Sequence, residues 1–216
     1  MYDLHCHSLL SDGVLLPSEI AVRYQFLGYK AIAITDHADY SNIELTIKAI
    51  LKFTRRWPKN SKIKVLPGIE LTHLPLEQFK PLAKYARNKG VKIIVGHGET
   101  SVEPVIKGTN AAALAADIDI LAHPGLMSDT DIKLAKKRGI FLEITSRSGH
   151  CDTNSHIAER ALKLGAKLII NNDSHAPEDI IGPEQLRSIA LRAGLTSEQI
   201  DNIYRDVKKI LLKKVK

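Results

Sequence analysis

The stretch AIAITDH at residues 31–37 decides the fold of this chain. Its first four residues are all apolar, and the three that follow are polar. A short run that is apolar throughout, without alternation, is typical of a strand covered on both faces, as in a parallel sheet flanked by helices. The polar end then places an aspartate and a histidine just past the strand.

The same pattern of an apolar run followed by polar side chains recurs along the whole chain. Four further runs end at or just before histidines, and a fifth ends in a glutamate. The four are YDLHCH at 2–7, KIIVGH at 92–97, DILAH at 119–123 and LIINNDSH at 168–175, and the fifth is KVLPGIE at 64–70. Six of the nine histidines therefore lie at predicted strand ends.

Segments with helical periodicity separate these runs. One begins at Pro17 and ends at Gly28, and proline at the start with glycine at the end is the usual punctuation of a helix. Seven strands are predicted, at 2–6, 31–35, 63–70, 91–96, 118–122, 140–145 and 167–171. We therefore expect an α/β fold, a distorted (β/α)7 barrel whose polar cluster lies at the C-terminal ends of the strands.

The helices are predicted with less sharp boundaries. They include segments at 77–89 and 153–164, and two more after the last strand, at 178–193 and 197–214. The 216 residues suffice for one large core, so we expect a single barrel domain over 1–216, with 197–216 as a basic C-terminal helix.

The positive charge is concentrated in that last helix. Residues 201–216 carry six Lys or Arg against two Asp, which is +4 of the net charge of +7. Such a helix could contact nucleic acid or an acidic partner. The simpler interpretation is a solvated helix face whose lysines complement the helix dipole.

The composition argues against several classes of protein. Two cysteines, Cys6 and Cys151, are too few for a disulfide framework in a chain of this length. No apolar run approaches the roughly 20 residues that span a bilayer, and no basic segment followed by an apolar one resembles a signal peptide. We therefore expect a cytoplasmic protein without a membrane partner.

Paired donors at two strand ends predict a metal site. His5 and His7 are two residues apart, so their side chains point the same way from a strand, and Asp173 with His175 repeats that spacing. Imidazole and carboxylate ligands suit zinc, manganese and iron. Gathering these groups without a cation would cost desolvation and like-charge repulsion.

Two neighbours of these donors are expected to have supporting roles. Cys6 should point to the opposite face from the histidines beside it and pack in the barrel. Asp36 should accept a hydrogen bond from an imidazole N–H. We interpret His73, His150 and His156 as non-ligands, because they lie away from the strand ends, and Glu99 as a helix-start residue.

The full ordered set of motifs resembles a known family. The order H-x-H, S-D-G, T-D-H, G-I-E, G-H-G-E, A-H-P-G, N-D-S-H, from position 5 to 175, is similar to that of the PHP (polymerase and histidinol phosphatase) superfamily. The resemblance implies a distorted (β/α)7 barrel that holds two or three divalent ions (Mn, Zn or Fe) and acts as a phosphoesterase.

The resemblance also implies which residues bind the ions. It assigns His5, His7, Glu70 and Asp173 to a first ion; Glu70 as a bridge, His97 and His123 to a second; and His37, His175 and Asp12 to a third. Some members have a histidine in the S-D-G loop where this chain has Gly13, which makes Asp12 the available ligand.

The implied reaction is hydrolysis of a phosphomonoester by a metal-bound hydroxide. Two residues beyond the strand at 140–145 are candidates for contacting the substrate. Arg147 could bind phosphate through its guanidinium group, with a surface salt bridge as the alternative. His150 could protonate the leaving group or bind substrate.

The leading interpretation is an enzyme similar to histidinol phosphatases that acts on a small phosphorylated metabolite. The main alternative is a nuclease or nucleotide phosphoesterase similar to the PHP modules of DNA polymerases, which the basic C-terminal helix supports. An amidohydrolase-type C–N hydrolase and a non-catalytic binding module are less favoured. The sequence makes no prediction about oligomeric state.

Overall fold

Seven parallel strands form a nearly closed barrel in this computed structural model, which describes the backbone of residues 1–214 and the side chains through residue 210. The strands are β1 (Tyr2–Asp3), β2 (Ala31–Ile34), β4 (Lys64–Leu71), β5 (Ile93–His97), β6 (Ile120–Ala122), β7 (Phe141–Thr145) and β8 (Lys167–Asn171); a short strand β3 (His37–Ala38) pairs with β4. Each strand pairs in parallel with the next strand of the barrel. The predicted distorted (β/α)7 barrel is confirmed.

Helices follow the strands around the barrel. They are α1 (Pro17–Phe26), α2 (Ile43–Arg56), α3 (Phe79–Lys89), α4 (Thr109–Leu114), α5 (Asp129–Arg138), α6 (Asn154–Leu164), α7 (Pro183–Arg192) and α8 (Ser197–Lys214). Gly90 ends α3 in the left-handed region, with φ of 99°, a conformation that glycine adopts without steric cost.

Three predicted helices begin later than expected. The segments predicted at 77–89 and 153–164 open with 3-10 turns at Leu76–Gln78 and His150–Thr153. The segment predicted at 178–193 forms a 3-10 turn at Pro177–Asp179 and becomes α-helical only at Pro183. Proline has no N–H to give to a preceding turn, so it opens a helix more readily than it continues one.

The barrel closes between β1 and β8 through side chains as well as backbone. The strand predicted at 2–6 pairs with β2 only at Tyr2 and Asp3. Beyond that point the Leu4 N–H donates to Oδ1 of Asn171 (2.9 Å) in place of a ladder partner. The His7 N–H then donates to the carbonyl of Ser174 (2.8 Å). These bonds bring the H-x-H segment beside the D-S-H segment.

The last helix is part of the barrel's packing. Ile200, Ile203 and Val207 form a buried apolar stripe along α8, which packs against β8 and β1. Lys208 and Lys209 are exposed, as expected for a solvated basic face. The rest of the predicted basic segment, residues 215 and 216, lies outside the described residues. No helix in the described part of the chain combines the length and apolarity needed to cross a bilayer.

Candidate metal centre

Imidazole and carboxylate donors from widely separated segments meet at the mouth of the barrel. Three overlapping groups each bring their donor atoms within 4.8 Å of one another: His5, His7 and Glu70; His5, His123 and Asp173; and His7, Asp12, His37 and His175. Eight of the nine residues predicted as ligands belong to these groups. The ninth, His97, is adjacent, with its ring centroid 4.4 Å from that of His123.

The innermost donors surround one small space. Nε2 of His5 lies 3.4 Å from a carboxylate oxygen of Glu70 and 3.4 Å from one of Asp173. Nε2 of His7 lies 3.6 Å and 3.3 Å from the same two oxygens. All four side chains are almost completely buried. The 3.6 Å between His7 and Glu70 is too long for a hydrogen bond. All four separations suit ligand atoms arranged around a shared cation.

Several of these atoms are buried without a hydrogen-bond partner among the described residues. They are Nε2 of His5, both ring nitrogens of His7, both carboxylate oxygens of Glu70, Nδ1 of His123 and Oδ1 of Asp173. Leaving a buried polar atom unpaired costs about 1–3 kcal/mol, so seven in one place are not a stable arrangement by themselves. Bound divalent cations would satisfy them, and the donor set fits such ions.

Burial and neighbouring charges shift the pKa values of these groups strongly. Burial lowers the pKa of His7 to about 3, and the nearby His37 adds to the effect by repulsion. Burial would raise the pKa of Glu70, but His5 and His37 hold it well below its ordinary value. His7 is thus a neutral imidazole, as a metal ion requires, whereas Glu70 and Asp12 raise the pKa of His37 to about 10, so an ion that binds that ring would displace a proton from it.

Asp12 joins two histidines nearer the solvent. Its Oδ2 lies 3.3 Å from Nε2 of His37 and 3.3 Å from Nε2 of His175, and its side chain is about half exposed. The structure thus brings together the three residues predicted for a third ion, with His7 beside them. Their role as ligands stays a prediction.

His97 faces a different neighbour from the one expected. Its Nε2 lies 3.0 Å from Oε2 of Glu103, while the predicted second set would join it with Glu70 and His123. His73, interpreted as a non-ligand, lies beside it, and its Nε2 is 3.1 Å from the same oxygen of Glu103. Glu103 lies in the loop after β5 and was not singled out from the sequence, because neither a strand end nor a motif marks it.

Glu143 is a second residue that the sequence reasoning missed. It lies within β7 and is completely buried. Its Oε1 accepts hydrogen bonds both from Nδ1 of His5 (2.8 Å) and from the Asn171 amide (2.8 Å), so the ring of His5 is held with Nε2 facing the centre. The signal was present: a glutamate inside an apolar strand needs a buried partner.

The role expected for Asp36 is wrong. Its carboxylate accepts hydrogen bonds from the Ser8 N–H (2.7 Å) and from the hydroxyl groups of Ser8 and Ser11. It fixes the loop that carries Asp12 and contacts no imidazole N–H in the described hydrogen bonds. Side chains of successive residues in an extended segment point to opposite sides. Because Asp36 is next to His37, its carboxylate points away from that imidazole and toward the loop.

Two other expectations, for Cys6 and His156, agree with the structure, and one, for Glu99, does not. Cys6 is completely buried among apolar side chains, away from the metal donors. Glu99 does not begin a helix as expected: it lies in the loop after β5, where its Oε1 accepts the N–H groups of Gly108 and Asn110 at the start of α4. His156 binds the carbonyl of Met127 (3.0 Å), apart from the mouth.

Arg147 lies in the loop after β7, and His150 begins the 3-10 turn that follows this loop. The Arg147 guanidinium donates to Oδ2 of Asp179 (3.0 Å) in a half-buried ion pair, which is the contact foreseen as the alternative to phosphate binding. His150 is buried, its ring 4.5 Å from that of His123, and its Nε2 lies 3.3 Å from Oε1 of Glu103. Burial lowers the pKa of His150.

A cavity of about 410 Å³ opens at this mouth. Its walls include Asp12, His37, His73 and Glu103. A volume of this size suits a small molecule. Asp12 and His37 therefore face a space that a substrate can enter.

Comparisons with known proteins agree with this fold. The model of the PHP domain matches residues 3–117. An uncharacterized protein of Methanocaldococcus jannaschii is 44% identical, covering 99% of each chain. A probable phosphatase of Clostridium acetobutylicum is 26% identical over 98% of this chain and 93% of its own.

A larger relative is the DNA polymerase/3'-5' exonuclease PolX of Bacillus subtilis, 27% identical over 80% of this chain. The matched region is only 34% of that protein's length.

Among solved structures, the histidinol phosphate phosphatase of Lactococcus lactis, complexed with zinc, L-histidinol and phosphate, superposes with a TM-score of 0.63 at 15% identity, covering 90% of this chain and 94% of that one. A Xaa-Pro dipeptidase superposes with the same TM-score of 0.63 at 11% identity, covering 100% of this chain and 76% of that one. These two likenesses concern the fold, which enzymes of different reactions share.

Proposed function

The chain belongs to the PHP domain family, and on that premise we propose that it is a metal-dependent phosphoesterase that hydrolyses a small phosphomonoester. One observation carries the proposal: seven buried nitrogen and oxygen atoms of the clustered side chains of His5, His7, Glu70, His123 and Asp173 have no hydrogen bond among the described residues. Such a constellation is stable when it holds cations, and clustered cations suit phosphoryl transfer.

Ions held there would neutralise charge on the phosphoryl oxygens and lower the pKa of bound water. Glu70 is placed to serve two ions. Its Oε2 lies 2.9 Å from Nδ1 of His37 and near the two inner histidines, whereas its Oε1 lies 3.8 Å from Nε2 of His123. Glu143 keeps the ring of His5 in the orientation that presents Nε2 to the centre.

His150 is the best-placed residue for contacting the substrate. Its Nδ1 lies 3.0 Å from the hydroxyl of Thr100, which fixes the ring. Because burial lowers its pKa, the ring is neutral near pH 7. A neutral imidazole favours hydrogen bonding to the substrate over delivering a proton to the leaving group.

The cavity favours a small substrate over a nucleic acid. Its volume is about 410 Å³, and its lining includes the carboxylates of Asp12, Asp39 and Glu103. Among the residues that the structure describes, no lysine or arginine lines it. A nucleic-acid backbone is normally bound by lysine and arginine along an extended surface, so one phosphate group presented to bound cations fits this mouth better. The relative described as a probable phosphatase supports the same reaction.

A nuclease remains the second candidate, supported by a basic groove on the outside of the barrel. Lys48, Lys52, Arg55, Arg56 and Lys89 line a groove of about 680 Å³ beside α2 and α3. The similarity to the polymerase/exonuclease PolX supports the same candidate. Binding of nucleic acid there would weaken steeply with salt.

One experiment separates the two candidates. The purified protein, loaded with manganese, zinc or iron, is assayed on p-nitrophenyl phosphate, a panel of phosphorylated metabolites and short oligonucleotides, at two salt concentrations. We expect close to three ions by elemental analysis and hydrolysis of phosphomonoesters that changes little with salt. Preferential, salt-sensitive cleavage of oligonucleotides would favour the nuclease, and full activity without metal would contradict both.

A further inference from the structure

The basic groove between α2 and α3, two helices that pack along one another, gathers positive side chains without partners. Five exposed cations line it: Lys48, Lys52, Arg55 and Arg56 of α2, and Lys89 of α3. Its one carboxylate among the described residues, that of Glu44, accepts a hydrogen bond from the hydroxyl of Tyr85 (3.1 Å). None of the five cations forms an ion pair with a described residue.

Helix dipoles account for only part of this charge. Arg55 and Arg56 lie in the last turn of α2 and Lys89 in the last turn of α3, where positive charge complements the dipole. Lys48 and Lys52 lie further back in α2, four residues apart, and like charges at that spacing destabilise a helix. The groove therefore carries more positive charge than the fold uses, and an anionic partner would compensate it.

A smaller pocket of about 310 Å³ continues the groove toward the mouth of the barrel. Glu44 and Tyr85 line both spaces, and the other walls of the pocket are Tyr40, Ile43, Pro81 and Leu82. The side chain of Tyr40 is 60% exposed. Nζ of Lys89 lies 5.2 Å from the ring centroid of Tyr85, a cation–π contact that, with the hydrogen bond to Glu44, fixes this ring beside the cations.

Aromatic rings beside a positive groove select the class of partner. In proteins that bind single-stranded nucleic acid, lysine and arginine follow the phosphates while bases stack on aromatic side chains. A duplex keeps its bases stacked inside, where Tyr40 and Tyr85 would not reach them. An anionic membrane fits less well, because the apolar side chains that would enter it form the floor of the groove: Ile47 is buried and Leu51 is half-buried.

We propose that the basic groove binds single-stranded nucleic acid, with its phosphates on the five cations and its bases against Tyr85 and Tyr40. Residues 48 to 56 extend about 12 Å along α2 at 1.5 Å per residue, which is room for several phosphates of one strand. This site lies outside the metal centre. It requires neither the proposed reaction nor cleavage of the bound strand.

The test measures binding of labelled oligouridine and oligothymidine to the full chain by fluorescence anisotropy at increasing salt. A gel run after each titration shows that the strands are intact. For five phosphate contacts we expect the logarithm of the affinity to fall with the logarithm of salt with a slope of about −3.5. A duplex of the same length should bind more weakly than the single strands.

Variants of the groove show where the strand lies. Lys48→Gln/Lys52→Gln should bind at least tenfold more weakly and have a slope smaller by about 1.4. Tyr40→Leu should bind at least fivefold more weakly, since a stacked base is lost, whereas Tyr40→Phe keeps the ring and should bind like wild type.

Matched controls separate this groove from positive charge in general. Lys133→Gln/Lys137→Gln removes two exposed lysines at the same spacing from α5, and Lys208→Gln/Lys209→Gln removes two from the basic face of α8. Both should bind like wild type. Equal losses in the groove variant and either control would overturn the proposal. So would equal affinity for poly-glutamate or for vesicles of phosphatidylserine and phosphatidylcholine.

The outcome is separable from that of the proposed function. Lys48→Gln/Lys52→Gln should hydrolyse p-nitrophenyl phosphate like wild type, because both lysines lie outside the mouth. A wild-type protein that hydrolyses phosphomonoesters but binds no single strand overturns the groove site alone. Groove-dependent binding by a protein without phosphoesterase activity overturns the proposed reaction and leaves the groove site standing.

Discussion

Nδ1 of His5 lies 2.8 Å from Oε1 of Glu143, and both side chains are completely buried. The contact joins the segment that follows β1 to strand β7. It fixes which ring nitrogen of His5 carries the hydrogen and aims the other at Glu70 and Asp173. A carboxylate behind a metal-binding imidazole sets the ring's orientation and raises its basicity.

Glu143→Gln should therefore weaken metal binding without removing any ligand. The amide keeps the size of the side chain but loses its charge, so we expect about 10–100-fold lower metal affinity and activity. Elemental analysis after dialysis against a weak chelator measures it, and activity should recover when excess metal is added. Glu198→Gln, at an exposed helix position, is the control. Unchanged metal affinity in Glu143→Gln would show that the contact is only structural.

His123→Ala should remove one of the inner donors that are predicted to bind an ion. Nε2 of His123 lies 3.6 Å from an oxygen of Asp173 and 3.8 Å from one of Glu70. We expect hydrolysis of p-nitrophenyl phosphate to fall by roughly a hundredfold or more, beyond the effect of losing a supporting contact. His156→Ala, a histidine away from the mouth, should behave like wild type. Equal turnover in the two variants would exclude His123 from the centre.

Arg147→Ala should raise KM for a phosphomonoester more than it lowers metal content. The guanidinium is 30% exposed and can turn from Asp179 toward a phosphate. Loss of the ion pair alone should cost stability of about 1 kcal/mol or less, because partly exposed pairs are screened by solvent. Steady-state kinetics with elemental analysis measures both effects.

Asp179 would explain a loss of metal without a change in KM in Arg147→Ala. Asp179 also accepts the N–H groups of His175 and Ala176 (both 2.9 Å). If Arg147→Ala lost metal with KM unchanged, the arginine would act by holding Asp179 and, through it, the loop that carries His175.

Asp3 should make the stability of the metal-free protein depend on pH. Burial raises its pKa to about 7, although the N–H groups of His5 and Asn172 oppose the shift. Between the ordinary value of 3.8 and about 7, the folded protein holds this proton and the unfolded chain does not. The contribution of Asp3 to the free energy of unfolding therefore falls as pH rises through that window and is constant above it.

Denaturant unfolding of wild type and Asp3→Asn from pH 4.5 to 8 checks this prediction. The readout is the slope against pH, since the amide cannot titrate and will also change the absolute stability through its contacts with Tyr24 and Asn172. The difference in stability between the two proteins should change steadily over this range. A difference that does not vary with pH would mean that Asp3 is ionised throughout.

Much of the site was predictable because parallel strands expose their C-terminal ends on one face. His37 and Asp173 each follow an apolar run, so their convergence follows once the barrel is predicted. The role of Glu143 was harder to predict, because a single glutamate within a strand does not indicate which residue it contacts. Glu103 and His73 were not predictable, because loops after β4 and β5 carry them and loop conformation depends on neighbours distant in sequence.

The sequence by itself determined the order of strands and helices, the barrel and the set of donors at its mouth. Those follow from local patterns: apolar runs, glycine and proline at helix ends, and polar residues where strands stop. The tertiary structure alone decided which nitrogen of each histidine faces the centre and that His97 faces Glu103 and not Glu70. Ring orientation depends on contacts such as those of His5 with Glu143 and His97 with Gly98, which form only when the chain is folded.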